Sequence, residues 1–151
     1  MEDNNFEACV RGIIEKDGKI LVCHHIKNRD KMAYYFFPGG HIEFGEESKD
    51  ALVRELKEEL NLSIKKVSYI GTIENIFKEG KKVHHEINLV FNVITDNIKE
   101  KSREDHIEFI FLDKERFIKE KVLPITLRNV IVKWQKDKKN FWISKDEIKN
   151  K

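Results

Sequence analysis

GGHIEFGEESKDALVRELKEEL, residues 39–60, begins with two glycines and ends in a run that sets three glutamates on one side of a helix. Read as helical from about Ser48, the run places Leu52, Leu56 and Leu60 in one stripe with Val53 beside it. Glu55, Glu58 and Glu59 fall at i, i+3 and i+4 on a neighbouring face, and Arg54 and Lys57 are expected to point elsewhere. At an effective dielectric of about 20, two carboxylates ~5–6 Å apart repel by roughly 3 kcal/mol, although pairs on exposed helices cost only tenths. Such a cluster is a penalty unless a cation sits on it. A hard divalent ion such as Mg²⁺ wants several oxygen ligands and often a phosphate, which three carboxylates beside a glycine loop can supply. The competing reading is a solvated helix face, ordinary in a chain with 37% charged residues.

Composition narrows the setting. A chain of 151 residues with 40% hydrophobic residues suits one domain with one core. Its 29 basic and 27 acidic residues leave a formal charge of +2, which argues against a strongly basic nucleic-acid binder. Cys9 and Cys23 stand in apolar, strand-like runs, so buried reduced thiols are expected in place of a disulfide framework or a metal site. The start, MEDNNFEACVRG, has no signal-type apolar run, and no segment approaches the ~18 apolar residues of a membrane span. A soluble cytoplasmic protein is the resulting expectation.

Outward from the central run, the periodicity changes type repeatedly without a linker or a repeat. Phe6 to Ile26 reads as a hairpin in which ACVRGII and KILVCHHI meet at Asp17-Gly18, a dipeptide suited to a tight primed turn. Tyr34 to Phe37 reads as a short aromatic strand, with a loop beginning at Pro38-Gly39-Gly40. Val67 to Phe77, Val83 to Thr95 and Glu108 to Leu112 read as strands, and Thr126 as the cap of a last helix carrying Leu127, Val130, Ile131 and Trp134. Strands interrupted by two helices predict an α/β fold with a mixed sheet covered on both faces. Residues 139–151, with Phe141 and Trp142 among charges, read as a loosely attached tail of a single domain spanning 1–151.

The wider spacing decides between cation site and solvated face. Gly40, Glu46, Arg54, Glu55, Leu56, Glu58, Glu59 and Leu62 fit G-x5-E-x7-R-E-U-x-E-E-x-G-U, with U a bulky aliphatic, and so resemble the box of the Nudix hydrolases. By residue frequencies such a match arises by chance on the order of once in ten million starting positions, which overturns the surface-face reading. Asn61 stands where the box has its second glycine; it follows the helix, where a left-handed residue is often required and Asn is tolerated next after Gly.

The resemblance implies the Nudix fold, an α/β/α sandwich with a mixed β-sheet between helices. It implies Mg²⁺ or Mn²⁺ held by Glu55, Glu58 and Glu59 with the carbonyl of Gly39, and an ion pair between Arg54 and Glu46 that orients the ligand carboxylates. The reaction implied is attack of water on a phosphorus of a nucleoside diphosphate linked to a group X. The general base varies in the family: Glu55 is one candidate, ranked first as a metal ligand, and Glu104, in KSREDHIEF, is the other. The partner implied is a small nucleotide, with neither nucleic acid nor membrane, acted on by a monomer or homodimer.

Substrate choice is less marked. The stretch IFKEGKK lacks the proline often found in ADP-ribose-cleaving relatives and the tyrosine of dinucleoside-polyphosphate relatives, so a short chain with a bare box most resembles the MutT-like nucleotide pyrophosphohydrolases. Hydrolysis of ADP-ribose or dinucleoside polyphosphates, and a non-catalytic nucleotide sensor, are the alternatives. Among the remaining residues, His84 and His85 should face opposite sides of their strand, and His24 and His25 carry the same reading. Of Tyr34 to Phe37, one alternate pair suits nucleobase stacking while the other fills the core.

Overall fold

The computed structural model of the chain describes residues 4–25, 34–96, 98 and 106–146. In order, its elements are β1 (Asn4–Ile13), β2 (Glu15–Lys16), β3 (Lys19–His25), β4 (Tyr35–Phe36), β5 (Gly39–His41), α1 (Ser48–Leu60), β6 (Ile64–Glu79), β7 (Lys82–Thr95), β8 (Ile107–Leu112), α2 (Lys114–Lys119), β9 (Val122–Leu123), α3 (Ile125–Asp137) and β10 (Phe141–Asp146). The fold is of the α/β class, with mixed sheets and helices. One sheet runs β10-β6-β7-β1-β5. In it β1 lies parallel to β7 and β10 parallel to β6, while β6–β7 and β1–β5 are antiparallel. A second sheet runs β2-β3-β4-β9, with β8 antiparallel to β3.

Alternation along β1 explains how the sheet is covered on both sides, because successive side chains leave a strand on opposite faces. Val10 joins Leu52 and Leu56 of α1 in one buried cluster, whereas Ile13 joins Leu127, Ile131 and Trp134 of α3 in another. Between them, a methyl group at Gly12 would touch Leu52 and Leu56 at 3.4 and 3.6 Å, so the glycine lets α1 lie close on the sheet. The helix therefore presents its polar edge beside β5 rather than to open solvent.

Several local expectations change in the structure. Asp17 (φ 53°) and Gly18 (φ 76°) form the expected left-handed turn, but it closes only the two-residue β2 onto β3. The ACVRGII run instead pairs with β7 and β5, as part of a β1 whose ten parallel partners in β7 outweigh a local hairpin. Gly39 and Gly40 do not begin a loop; they form β5, with Gly39 opposite Arg11 and Gly40 opposite Val10. Thr126 is not the cap of α3, since Pro124 occupies that position without a side-chain hydrogen bond, as suits proline at a helix start. Helix α2 escapes the periodicity because it has only six residues, although Asp113 marks its start by accepting from the Arg116 amide at 2.9 Å. Residues 141–146, within the segment read as a tail, form β10 along β6.

Candidate active site

Helix α1 is fixed by its apolar stripe: Ala51, Leu52 and Leu56 are buried completely. Its end is the turn that Asn61 permits, with φ 52° and ψ 39°, its amide donating to the Lys57 carbonyl at 3.0 Å. Position around the helix then gives the glutamates different surroundings. Glu59 is buried at 6% exposure, the Glu55 side chain is 17% exposed and the Glu58 side chain 55%.

Arg54 does not point away from these carboxylates. Its Nε donates to Glu46 Oε1 at 2.8 Å and its Nη2 to Glu46 Oε2 at 3.1 Å, a two-pronged pair between loop and helix. Its Nη1 donates to Glu55 Oε1 at 2.9 Å and lies 3.7 Å from Glu58 Oε2, while Nη2 also donates to the His41 carbonyl at 3.1 Å. The expectation of a diverging Arg54 failed because Glu58 lies at i+4, within reach of a long stem and a planar fork. The hydrogen bond from Arg54, reinforced by the Glu43 amide, holds the Glu46 carboxyl below the usual carboxylate range. The same bond to Glu46, opposed by burial and aided by Glu55, raises the Arg54 pKa further.

The two glycines are required for different reasons. A Cβ on Gly39 (φ +146°) would stand 1.9 Å from the Val10 carbonyl oxygen. A Cβ on Gly40 would stand 2.5 Å from the Glu55 carboxyl carbon, so the missing side chain is the space into which that carboxylate is folded. Loop, β5 and α1 thus meet at one carboxylate.

The donors collected there are oxygens, the set that suits a hard divalent cation. Their side chains do not yet converge: among the described residues, the group whose ligand atoms all lie within 4.8 Å of one another is Glu7, Cys9 and His41. Cys9 and His41 are direct cross-strand partners, and His41 Nε2 lies 3.3 Å from Glu7 Oε2. The spacing rules applied to single segments cannot reveal this group, which exists only through the β1–β5 register. Both cysteines are free and buried. Burial pushes the Cys9 thiol up to about 11 and the Cys23 thiol well above its ordinary value. Glu104 lies outside the described residues.

A cleft of about 650 Å³ borders this junction, with Glu55, Arg54, Gly40 and His41 on one side and Tyr34, Phe36 and Arg11 on the other. Tyr34 and Phe36 are one alternate pair of the aromatic stretch; Phe37, from the other pair, is buried completely. A smaller cavity of about 240 Å³ lies next to it, lined by Asn75, Phe77 and Glu86 and sharing Arg11, Phe36 and Leu123 with the cleft. Arg11, Asn75 and Glu86 escape a reading built on the helix. The available signal is a charge or amide inside a strand: Arg11 within ACVRGII, Asn75 within TIENIF, Glu86 within HHEINL. His84 stacks on Phe77 at 4.9 Å, whereas His85 bonds Glu74 at 2.7 Å, as partners of opposite strand faces. His25, which also borders the cleft, stacks on Phe36 at 4.9 Å. No helix among the described residues is long and apolar enough to cross a membrane.

Known proteins resemble this chain in sequence and in shape. An ADP-ribose pyrophosphatase of Methanocaldococcus jannaschii is 36% identical over 126 residues, covering 80% of this chain and 73% of the relative. A CTP pyrophosphohydrolase of Escherichia coli is 40% identical over 63 residues, 42% of this chain and 47% of that protein, so the likeness spans about half its length. Among solved structures, the MutT protein from Bacillus halodurans superposes with a TM-score of 0.73 at 14% identity, covering 93% of this chain and 89% of that one. The MutT protein from Methanosarcina mazei Go1 gives 0.67 at 21% identity, over 93% and 99%. Residues 5–148 match the NUDIX domain, and the chain belongs to that family.

Proposed function

We propose that the chain is a divalent-metal-dependent pyrophosphohydrolase of the Nudix type, acting on a nucleoside diphosphate linked to a group X. The observation that carries this reading is the seating of the Glu55 carboxylate against Gly40, tied by Arg54 to Glu46 at the wall of the 650 Å³ cleft. Nudix hydrolases generally use a divalent metal. Here Glu55, Glu58 and Glu59, with the Gly39 carbonyl, would hold Mg²⁺ or Mn²⁺. When bound, the ion would offset pyrophosphate charge and lower the pKa of water.

The protein's own groups divide the remaining work. Arg54 fixes Glu55 through Oε1 and leaves Oε2 for a ligand or a water proton, a positioning role. Water oxygen forms a bond to phosphorus while the bridging P–O bond breaks, and the water proton passes to a carboxylate, Glu104 or Glu55. The two are separable: if Glu104 is the base, Glu104→Gln should lower kcat by ~10²–10⁴ with metal affinity unchanged. If Glu55 is the base, Glu104→Gln should be almost silent.

For substrate, a nucleoside triphosphate or modified nucleotide is the favoured reading, supported by two adjacent cavities that offer room for phosphates and a base. ADP-ribose is the second reading, favoured by the 36% identical relative named for that activity, despite the missing proline in IFKEGKK. A sensor without turnover is disfavoured, because it would leave the glutamate cluster without purpose. The deciding experiment measures Mg²⁺-dependent phosphate or pyrophosphate release over dNTPs, oxidised dNTPs, ADP-ribose, dinucleoside polyphosphates and nucleotide sugars. Full turnover in excess EDTA would reject the metal-dependent reading, and no turnover on any of them would favour the sensor. The compact reading of 1–151 as one Nudix domain, in the cytoplasm, belongs to the same proposal.

A further inference from the structure

Among the described residues, the guanidinium of Arg11 is held by two neutral oxygens: Nε donates to Asn88 Oδ1 at 3.0 Å and Nη1 to the Phe37 carbonyl at 3.3 Å. Two of its five donors are thereby committed, and among the described residues it forms no ion pair with a carboxylate. Taking a cation partly out of water without a counter-charge costs stability, so its retention calls for an anion that arrives later. Asn88 is buried completely, and its own Nδ2 reaches Glu86 Oε2 at 3.4 Å, which fixes the amide with its oxygen toward Arg11.

Location narrows the anion. Arg11 borders both the 650 Å³ cleft and the 240 Å³ cavity, at their junction. A ligand lying in the cleft would meet Glu55 and Arg54 on one wall and the Arg11 guanidinium on the other.

We propose that Arg11, oriented by Asn88, is a phosphate clamp that grips the substrate phosphate nearest the group housed in the smaller cavity. The inference rests on the pyrophosphohydrolase reading for its ligand, an organic di- or triphosphate. A planar fork suits phosphate oxygens, and an amide partner orients that fork without cancelling its charge. Asn88 is a positioning residue here; Arg11 touches the substrate.

The test is calorimetric binding of inorganic pyrophosphate, adenosine 5′-(α,β-methylene)diphosphate and adenosine, with Ca²⁺ in place of Mg²⁺. Arg11→Gln should weaken pyrophosphate and the methylene analogue by about tenfold or more, since a charged hydrogen bond is lost, and leave adenosine unchanged. Arg11→Lys should recover part of the loss by restoring charge without the fork. Asn88→Asp should mimic Arg11→Gln, because a carboxylate at that distance neutralises the clamp while keeping the side-chain shape. Wild-type pyrophosphate affinity in Arg11→Gln would overturn the proposal, as would equal weakening of adenosine, or failure of the native protein to bind pyrophosphate. Binding needs no turnover: an Arg11-dependent affinity in a protein that hydrolyses no tested nucleotide would refute the catalytic reading and leave the clamp standing.

Discussion

Arg54 gathers Glu46, Glu55 and Glu58 around one cation, so the helix tolerates its carboxylates before any metal is bound. Removing Arg54 should therefore do two kinds of damage. Arg54→Ala is expected to lower both the melting temperature and activity, whereas Glu59→Gln, which removes a proposed metal ligand, should lower activity alone, by ~10²-fold or more. Equal melting temperatures for native protein and Arg54→Ala would count against the bracing role. The Glu46 pair also sets a pH dependence. Because the folded Glu46 carboxyl titrates below its unfolded value, the pair's contribution is complete above roughly pH 4.3 and fades as pH falls through the lower folded value. Urea midpoints measured from pH 6 downward should fall less steeply in Glu46→Gln than in the native protein; parallel curves would refute the assignment.

At the scale of elements, β5 is the hinge between scaffold and chemistry. Gly39→Ala forces a methyl group onto the Val10 carbonyl at a positive φ, and should destabilise the protein by about 1–3 kcal/mol or more. The three atoms nearest a Cβ on Gly40 all belong to the Glu55 carboxylate, a side-chain end that can swing away by giving up its Arg54 bond, so Gly40→Ala should cost activity well before it costs stability. Thermal melts and turnover of both variants check the contrast, and a Gly40→Ala protein with native turnover would sink it. The difference between these two glycines was not legible in the sequence, where both read as a loop. Helix α1 was legible to the residue because a helix records its face in its own spacing, and Asn61 announced its end. The pairing of β1 with β7 was hidden, since Val10 meets Leu89 across nearly eighty positions of chain and no local pattern records that choice. Arg11, Asn88 and Glu86 stayed hidden with it: they become neighbours only once that register is set.

The whole molecule offers a readout independent of substrate. The three glutamates lie on one helix, yet their ligand atoms do not converge within 4.8 Å, and Arg54 holds Glu55 and approaches Glu58. A metal that binds the folded state must draw these side chains together, and in doing so it adds its binding free energy to folding. At a hundredfold excess over Kd that linkage is worth about 2.7 kcal/mol, which for a domain of this size corresponds to a melting-temperature rise of roughly 5–10 °C. Mg²⁺ or Mn²⁺ should produce that rise in the native protein and EDTA should remove it. Glu55→Gln with Glu58→Gln should abolish it, because two of the oxygen donors lose their charge. Arg11→Gln, which removes none of the oxygen donors, should keep it. A metal-induced shift that survives in the double variant but disappears in Cys9→Ser would relocate the ion to Glu7, Cys9 and His41, whose ligand atoms already lie together, and would overturn the assignment to α1.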